Sequence, residues 1–374
     1  MTFQRYIDTN RRMNTVDTSS TLERIRAFLV ERKEPEYRYT QIATAWYDAE
    51  SWDVVSTISK ELRQELKGAF PWLSLVGSEI ATSPRDGTQK SLMTLQDGQK
   101  IESVFMPNAR GKRTICVSSQ VGCAMACTFC ATGTMGMIRN LSVDEIVDQV
   151  RFWKFARPEE EISNIVFMGM GEPLANYEVV KEVVRILIDE LGIGATRITV
   201  STVGVPVILN RLLKDDSFPH VRIAFSLHAG TDETRSQIVP SHRAWTIAKI
   251  VDWMERYLDT YGNRRHHVTV EYVMLNGVND MHSEARALVK VFAKIHDSVK
   301  LNLIPWNATG KHLERSTHEH IEEFARICEA GGITTTIRYS KGLDIEAACG
   351  QLVVKNMQAE KAKEALKNRM EQAS

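Results

Sequence analysis

The spacing of apolar side chains predicts that the chain begins with a small helical module. Between about residues 19 and 70, apolar residues recur three or four positions apart, as at Leu22, Ile25, Phe28 and Leu29. The polar run Thr18-Ser19-Ser20 stands directly before them and can cap a helix. The segments 39–47 and 55–66 also read as helices. We therefore expect a helical accessory domain over residues 1–80, which either binds a partner or only covers the next domain's core.

The pattern changes to alternation over residues 81–113, which predicts a β-hairpin linker. The runs 91–95 and 101–105 flank Asp97-Gly98, and Asp-Gly between two alternating runs is a strong hairpin signal. Glu102 lies on the second strand. A carboxylate on an exposed strand is normally solvated, so the local pattern alone gives Glu102 no special role.

From Thr114 onward, short β-rich runs alternate with helical patterns. Helices are predicted, for example, over 142–155 and 177–191, and strands over 114–118, 164–168, 197–201, 222–227, 268–274 and 300–304. Six units of this kind predict an α/β domain with a parallel sheet over residues 114–350. The segment 333–338 could add a further strand, and residues 351–374 predict a charged helical tail.

Composition narrows the class of protein. The chain has 374 residues, of which 43% are hydrophobic and 25% charged, as in ordinary soluble domains. It contains no apolar run of about 18 residues and no signal-peptide pattern, so we expect a cytoplasmic protein without a membrane partner. The six cysteines are clustered, which favours ligand or redox chemistry in a reducing compartment. The formal net charge is zero, so any nucleic acid would be held by local basic patches.

Three cysteines stand close together as Cys123, Cys127 and Cys130, with the spacing C-x3-C-x2-C. Thiolates suit zinc or iron–sulfur clusters. A structural zinc site needs four ligands, usually in two separated pairs, and no second pair follows at such an interval. Three thiolates suit a cubane cluster with one iron left open for a small molecule. The alternatives are core cysteines or part of a zinc site.

Short polar and glycine-rich motifs follow the predicted strands. Gly169 to Glu172 come after the second strand, Ser201 ends the third, Ser226 to His228 end the fourth, and Asn307 follows the sixth. In parallel α/β barrels, the carboxyl ends of the strands meet on one face. We therefore expect these residues and the cysteine loop to line one pocket.

The cysteine spacing, with Phe129 before the last cysteine, is the signature of the radical S-adenosylmethionine (SAM) superfamily. Further motifs extend the resemblance over most of the chain: Met168 to Pro173, Ser226 to His228, Ile304 to Asn307, and Ala347 to Gln351. Together they resemble the RlmN/Cfr family of radical SAM methyltransferases, which act on adenine in RNA. The resemblance implies a partial (β/α)6 TIM-like radical SAM barrel with an N-terminal helical accessory domain that binds RNA.

The resemblance also implies roles for individual residues. Cys349 is the nucleophile that carries the methyl group, Cys116 resolves the covalent intermediate, and Glu102 is the proton acceptor. A [4Fe-4S] cluster binds the three clustered cysteines, Cys123, Cys127 and Cys130. SAM binding is implied for Gly171, Glu172, Ser201, Ser226, Leu227, His228 and Asn307. Cys328, on an amphipathic helix, matches no family role and is assigned to packing.

The implied reaction uses two SAM molecules per turnover. One methylates the Cys349 thiolate by polar substitution. The second is cleaved reductively, and the resulting radical takes a hydrogen atom from the S-methyl group. The methylene carbon adds to adenine and joins protein to RNA. Cys116 then attacks the Cys349 sulfur, which gives a disulfide that must be reduced before the next turnover.

The implied substrates are an adenine in the peptidyl-transferase region of 23S rRNA and the adenine 3′ to the anticodon of some tRNAs. Glu172-Pro173 and Pro305-Trp306 resemble the branch that methylates C2, and the alternative is methylation at C8. The loop after Asn307 departs from the family pattern, because it is short and lacks the usual proline and aromatic residues, so the resemblance does not carry over details of substrate gating. The rival classes are a non-enzymatic metal-containing RNA-binding protein and another radical SAM enzyme.

The remaining expectations concern partners. We expect a monomer that receives electrons from a flavodoxin or ferredoxin. Candidate RNA contacts are three basic groups, which could equally be solvated surface: Arg110 to Arg113, Arg264 to His267, and Arg338 with Lys341.

Overall fold

The computed structural model describes residues 19–108, 111–240, 245–262, 267–309 and 313–352. One sheet of ten strands organises them in the order β1-β2-β3-β4-β7-β8-β9-β10-β11-β12, and a separate two-stranded sheet pairs β5 with β6. The strands are β1 Leu75–Thr82, β2 Gln89–Leu95, β3 Lys100–Pro107, β4 Arg113–Cys116, β5 Gln120–Gly122, β6 Met137–Asn140, β7 Asn164–Phe167, β8 Ile198–Thr202, β9 Arg222–Ser226, β10 Val268–Met274, β11 Val299–Pro305 and β12 Thr334–Ile337.

The large sheet has two parts. Strands β4 and β7 to β12 are parallel, while β1, β2 and β3 form an antiparallel meander that joins the edge of β4. The sheet is not closed, because its end strands β1 and β12 each have one partner. The predicted α/β fold with a partial barrel is confirmed, and the segment 333–338 does contribute a strand.

Ten α-helices are described: α1 Thr21–Glu31, α2 Glu36–Trp46, α3 Lys60–Ala69, α4 Val143–Ala156, α5 Tyr177–Asp189, α6 Pro206–Leu212, α7 Asp232–Ile238, α8 Ile247–Tyr261, α9 His282–Val291 and α10 His318–Ala330. Helix α4 follows a capping box, in which the Ser142 hydroxyl accepts from the Glu145 amide and the Glu145 carboxylate accepts from the Ser142 amide. None of the described helices is both long enough and apolar enough to cross a membrane.

Strand β1 differs from the sequence prediction. The expected hairpin of 81–113 is a three-stranded meander that starts at Leu75, so the expected domain boundary at residue 80 falls inside β1. Most β1 side chains are exposed, and its register with β2 comes from backbone hydrogen bonds. The predicted tail of residues 351–374 lies outside the described residues, except for Gln351 and Leu352.

Helices α1 to α3 pack against barrel helix α4 through buried charge. Asp144 accepts hydrogen bonds from the Thr21 amide and hydroxyl, at 2.9 and 2.6 Å. One turn later, Asp148 accepts from the Ser74 amide at 2.6 Å. Fully buried Arg151 then bonds backbone carbonyls of the helical module. These three polar residues of α4 hold the helical module on the barrel.

The segment 341–347 follows β12 and contacts the antiparallel meander. Lys341 donates to the carbonyl oxygen of Pro107 on β3, and the Gly342 amide donates to Asp86 at 2.9 Å. Lys90 on β2 donates to the carbonyl oxygen of Glu346 at 3.2 Å. A loop therefore joins β12 to the meander where strand pairing stops.

Candidate functional site

An open cavity of about 920 Å³ lies at the carboxyl ends of the parallel strands. We call it the three-cysteine cavity. It brings together nearly all of the residues expected to bind a cluster or SAM, namely Cys123, Cys127, Cys130, Gly171, Glu172, Ser201, Ser226, His228 and Asn307, and Cys349 also lines it. Leu227 is absent from the lining, because its side chain is fully buried in the core.

The cysteine loop is held by backbone contacts. The Cys123 amide donates to the carbonyl oxygen of Gly136 at 3.0 Å, and the Cys130 amide donates to that of Cys127 at 3.2 Å. Gly122 has φ +77°, and a Cβ there would lie 1.9 Å from the Gly136 oxygen. Only glycine fits that position, where the hairpin of β5 and β6 closes.

The three thiols fit a cubane better than a single metal ion. No group of three or more His, Cys, Asp or Glu side chains converges on one ion anywhere in the described ranges. The three cysteines instead line one shared cavity, and in a cubane each thiolate binds its own iron. Burial raises the pKa of Cys127 to about 12 and that of Cys123 well above its ordinary value. Thiols in such a place ionise when a cation binds them.

The glycine-rich loop lies directly against the base of the cysteine segment. Gly171 has φ +106°, and a Cβ there would lie 2.7 Å from the Gln120 side chain. The carboxylate of Glu172 accepts from the Val203 amide at 2.9 Å and from the Leu174 amide at 3.2 Å. Burial raises the pKa of Glu172 to about 7, although these amides oppose the change. The Glu172 side chain thus ties two strand-end loops together at the cavity wall.

Ser201 and Ser226 end adjacent strands, and their hydroxyl oxygens are 3.2 Å apart. Both residues line the cavity. Leu227 lies next along the chain. It offers only its backbone near the site, where its amide donates to the carbonyl oxygen of Glu271 at 3.1 Å.

His228 is neutral and fixed in orientation. Burial, helped by the charge of Arg235, lowers its pKa to about 3. Its Nδ1 accepts the Val273 amide hydrogen at 3.0 Å, so the proton of the ring sits on Nε2. The ring makes an edge contact with Phe129 of the cysteine loop at 4.6 Å. The backbone φ of His228 is +62°, a value that is uncommon for a non-glycine residue and is found most often at functional sites.

The segment that carries Cys349 is bonded directly to the cysteine loop. The Ala131 amide donates to the carbonyl oxygen of Gly350 at 2.7 Å, and the Thr132 hydroxyl donates to that of Leu352 at 2.6 Å. Asn307 donates from Nδ2 to the carbonyl oxygen of Cys349 at 3.0 Å. Residues separated by more than 200 positions in the chain are therefore held together at one place.

A second open cavity, of about 880 Å³, adjoins the first. We call it the Cys116 cavity. Cys116 and Cys349 both line it, and both are free thiols. Four residues line both cavities and form the wall that they share: Met168, Ile304, Arg338 and Cys349. Burial, and next the nearby Cys349, raise the pKa of Cys116 to about 12.

Arg338 brings a positive charge to the two thiols. The nearby Cys349 raises the pKa of Arg338 most, and Glu271 and Cys116 add to this effect against the lowering effect of burial. Glu271 lies 3.8 Å from the Arg338 guanidinium through Oε2, and its Oε1 accepts from Asn302 at 3.0 Å. The sequence suggested Arg338 as an RNA contact, whereas the structure places it in the wall between the cavities.

Glu102 is buried, which differs from the solvated carboxylate that its local pattern predicts. It forms an ion pair with Lys90 at 2.9 Å and lines neither cavity. Glu102 precedes Val104 by two residues on β3, and Val104 pairs with Cys116, so Glu102 and Cys116 share one face of the sheet.

Sequence reasoning missed Arg235. Its Nε donates to the carbonyl oxygen of Leu227 at 3.0 Å and its NH2 to that of Val203 at 2.7 Å. It joins the ends of two strands beside the three-cysteine cavity, and burial lowers its pKa to about 10. Cys328 is fully buried in the core, in the packing position expected for it.

The basic groups proposed for RNA are only partly described. Arg110 and Arg264 to His266 lie outside the described residues. Arg113 forms an ion pair with Glu160. Lys341 lies at the Cys116 cavity.

The sheet, the cysteine loop and the cavity at the strand ends define a radical SAM enzyme. The family model of the Radical SAM superfamily matches residues 117–289. The protein described as a radical SAM methyltransferase from Sphaerobacter thermophilus has a similar crystal structure, with a TM-score of 0.83 and 39% identity, covering 88% of this chain and 97% of that one.

Similar proteins narrow the class further. The dual-specificity RNA methyltransferase RlmN of Alcanivorax borkumensis is 40% identical over 365 residues, which cover 92% of this chain and 93% of the relative. The probable dual-specificity RNA methyltransferase RlmN of Thermotoga neapolitana is 42% identical over 325 residues, covering 85% and 92%. The chain belongs to the RlmN family. Membership implies a [4Fe-4S] cluster and SAM, and the cysteine loop fits the cluster.

Proposed function

We propose that this protein is a radical SAM methyltransferase that places a methyl group on C2 of an adenine in RNA. The observation that carries the proposal is the position of Cys349 in the wall shared by two cavities. One cavity holds the three cysteines and the expected SAM-binding residues, and the other holds Cys116. A methyl group on the Cys349 sulfur can therefore receive its activation on one side and meet a base on the other.

We assign the cluster to Cys123, Cys127 and Cys130, and SAM to the polar groups of the three-cysteine cavity. When bound, the cluster would supply the electron for reductive cleavage of SAM, and the S-methyl group of Cys349 would be the source of the hydrogen atom that this chemistry removes. Ser201, Ser226 and the Nε2 proton of His228 offer hydrogen bonds to the ribose or methionyl parts of SAM. The backbones at Gly171, Glu172 and Leu227 lie next to these groups, and Asn307 links this site to Cys349.

Cys349 accepts its methyl group from one SAM molecule and bonds the adenine through the same carbon, so that two SAM molecules serve each turnover. The Cys116 thiolate then attacks the Cys349 sulfur and forms a disulfide with it. The electron pair of the broken carbon–sulfur bond stays on the product carbon, which takes up a proton and becomes the methyl group. Arg338 stabilises negative charge on either sulfur. Before this attack the adduct must lose one electron, which the cluster would take back, and the proton on C2, for which Glu102 on the same face of the sheet is the proposed acceptor.

The proposed substrates are 23S rRNA, at its peptidyl-transferase region, and tRNA, at the adenine 3′ to the anticodon. Support for two substrates comes from the relatives, whose names call them dual-specificity RNA methyltransferases. The proposed domains are a helical RNA-binding module, a β linker, a barrel of residues 114–350 and a tail of residues 351–374, with the boundary expected at residue 80 moved to the start of β1 at Leu75. A cytoplasmic flavodoxin or ferredoxin is the proposed electron donor to a monomeric enzyme.

The test is nucleoside analysis after reaction of the anaerobically reconstituted protein. Unmodified 23S rRNA fragments and tRNA transcripts are incubated with SAM carrying a deuterated methyl group and a chemical reductant. We expect labelled 2-methyladenosine in both RNAs and 5′-deoxyadenosine in solution. Labelled 8-methyladenosine would move the assignment to C8, and a colourless protein that releases no 5′-deoxyadenosine would refute the enzyme.

The matched control compares two cysteines. Cys349→Ala is expected to abolish RNA methylation while leaving iron content unchanged, because Cys349 lies outside the C-x3-C-x2-C loop. Cys328→Ala removes another buried thiol in the core and is expected to keep methylation. Methylation by Cys349→Ala would show that another group carries the carbon.

A further inference from the structure

Tyr339 is the most exposed large hydrophobic side chain among the described residues, at 67% of its surface. It also lines the Cys116 cavity, where the RNA base is proposed to enter. Among the described residues it makes a ring contact with His318, with the centroids 6.1 Å apart and the planes tilted by 44°. This distance lies in the upper part of the range for aromatic pairs, and the high exposure shows that packing covers little of the Tyr339 side chain.

The backbone on both sides of Tyr339 is anchored. The Arg338 amide donates to the carbonyl oxygen of Leu303 at 2.8 Å, which continues the pairing of β12 with β11. Lys341 donates to the carbonyl oxygen of Pro107 on the meander. Arg338 faces Glu271 in the cavity wall, whereas the ring of Tyr339 is exposed to solvent. The ring therefore projects from a fixed point at the cavity mouth.

An exposed aromatic ring at this place matches a need of RNA chemistry. A base that is modified must leave its stack, and the neighbouring base then loses a stacking partner. Aromatic side chains replace such partners with little dependence on sequence, since every base has a flat face. Lys341 lines the same cavity and has three N–H groups, so it can still donate to a phosphate while it bonds Pro107.

We propose that Tyr339 stacks on the nucleobase next to the target adenine and so holds the RNA with the adenine turned into the Cys116 cavity. The proposal rests on the proposed function, because it takes RNA as the substrate. Tyr339 is a positioning residue, since it touches the neighbouring base and not the reacting atoms.

The test places 2-aminopurine, a fluorescent base, on either side of the target adenine in an RNA stem-loop. Binding to the reconstituted enzyme should quench the fluorescence on one side, because stacking on a tyrosine ring quenches this base. Tyr339→Leu keeps an apolar side chain but removes the ring. We expect it to lose the quenching and to weaken RNA binding about 5- to 160-fold, the range for loss of one stack. Tyr339→Phe and Tyr339→Trp keep an aromatic ring, so they should keep both the quenching and the affinity for RNA.

His318→Ala is the matched control, since it removes the ring neighbour of Tyr339 and leaves the tyrosine in place. If Tyr339 only supports local packing, His318→Ala and Tyr339→Leu should weaken binding alike, and this result would overturn the proposal. Unchanged quenching in Tyr339→Leu would do the same.

Methylation assays with two kinds of reductant show whether the ring meets RNA or a protein partner. If Tyr339→Leu lowers methylation with a flavodoxin as reductant but not with a chemical reductant, the ring serves a protein partner and the proposal fails. If the unsubstituted enzyme methylates no RNA, the proposed function fails. If it methylates RNA and Tyr339→Leu does so with the same KM, only the stacking proposal fails.

Discussion

Replacing Arg151 tests how firmly the helical module is attached to the barrel. The side chain of Arg151 is fully buried, and its guanidinium lies 4.3 Å from the Trp46 ring. It donates to the carbonyl oxygens of Trp46 and Trp72 at 3.1 and 2.9 Å, and to Asp148 at 2.5 Å. Arg151→Ala would leave a buried carboxylate without its cation and two carbonyl oxygens without a donor.

The expected cost follows from these contacts. Removing one partner of a buried ion pair costs about 3–5 kcal/mol, because the other charge stays buried. Asp148 keeps the Ser74 amide at 2.6 Å, so the carboxylate is not left wholly unsatisfied. We therefore expect a loss of about 4 kcal/mol in the free energy of opening of the helical module.

Native-state hydrogen exchange of the amides in helix α3, Lys60–Ala69, measures this free energy. The control is Arg256→Ala, which breaks an exposed pair with Asp252 and should cost under about 0.5 kcal/mol. Arg151→Met keeps the aliphatic bulk and separates packing from charge. A loss below about 1 kcal/mol for Arg151→Ala would refute the view that this buried cation holds the module in place.

A histidine, a glycine and a tryptophan of the site give three further predictions. The pKa of His228 is about 3 in the fold against an ordinary 6.5, so between these values only the unfolded chain binds the proton, and stability falls as pH falls. Between pH 7 and pH 5, protonation of His228 in the unfolded chain should lower the free energy of unfolding by about 2 kcal/mol, as measured by chemical denaturation. In the variant His228→Asn, this part of the pH dependence should be absent. Gly171→Ala should lower the free energy of unfolding by roughly 2 kcal/mol more than Gly98→Ala does. Both glycines have a positive φ, but only at position 171 would the new Cβ also lie within 3 Å of neighbouring atoms. Equal melting temperatures of the two variants would contradict this prediction. Trp306→Phe removes a hydrogen bond of 3.1 Å from the indole N–H to the Phe129 carbonyl oxygen, and should lower the free energy of unfolding by about 1 kcal/mol. It should also speed the loss of iron from the reconstituted enzyme to a chelator. An unchanged rate of iron loss would show that this bond does not stabilise the cysteine loop.

The parallel strands and their helices could be predicted because each carries its signal locally. The Asp97-Gly98 turn is also a local signal, and it stands between the antiparallel strands β2 and β3 as expected. Strand β1 gave no such signal, since most of its side chains are exposed and its register with β2 is set by backbone pairing. The short strand β5 was missed because three residues show no periodicity.

The convergence of the expected site residues on one cavity could be predicted because their motifs follow strand ends, and strand ends meet in this fold. The surroundings of Glu102 could not, because Lys90 approaches it from the neighbouring strand and no local pattern shows that pair. Arg235 and Arg338 were missed as parts of the site for the same reason, since their partners belong to distant strands. A resemblance identifies only the residues that lie in the matched sequence motifs. These two arginines lie outside those motifs.

The loop at 341–347 has a consequence for how a large substrate can reach a small reactive centre. A fully closed barrel admits only what passes through its mouth, whereas here the circle is completed by side chains and single hydrogen bonds to Asp86 and Pro107. The residue that would hand over the methyl group stands just beyond this seam, at position 349. The loop that joins β12 to the meander and the reactive sulfur are thus neighbours in the chain, and under the proposed function a polymer would present one base from this side while the rest of it stays outside.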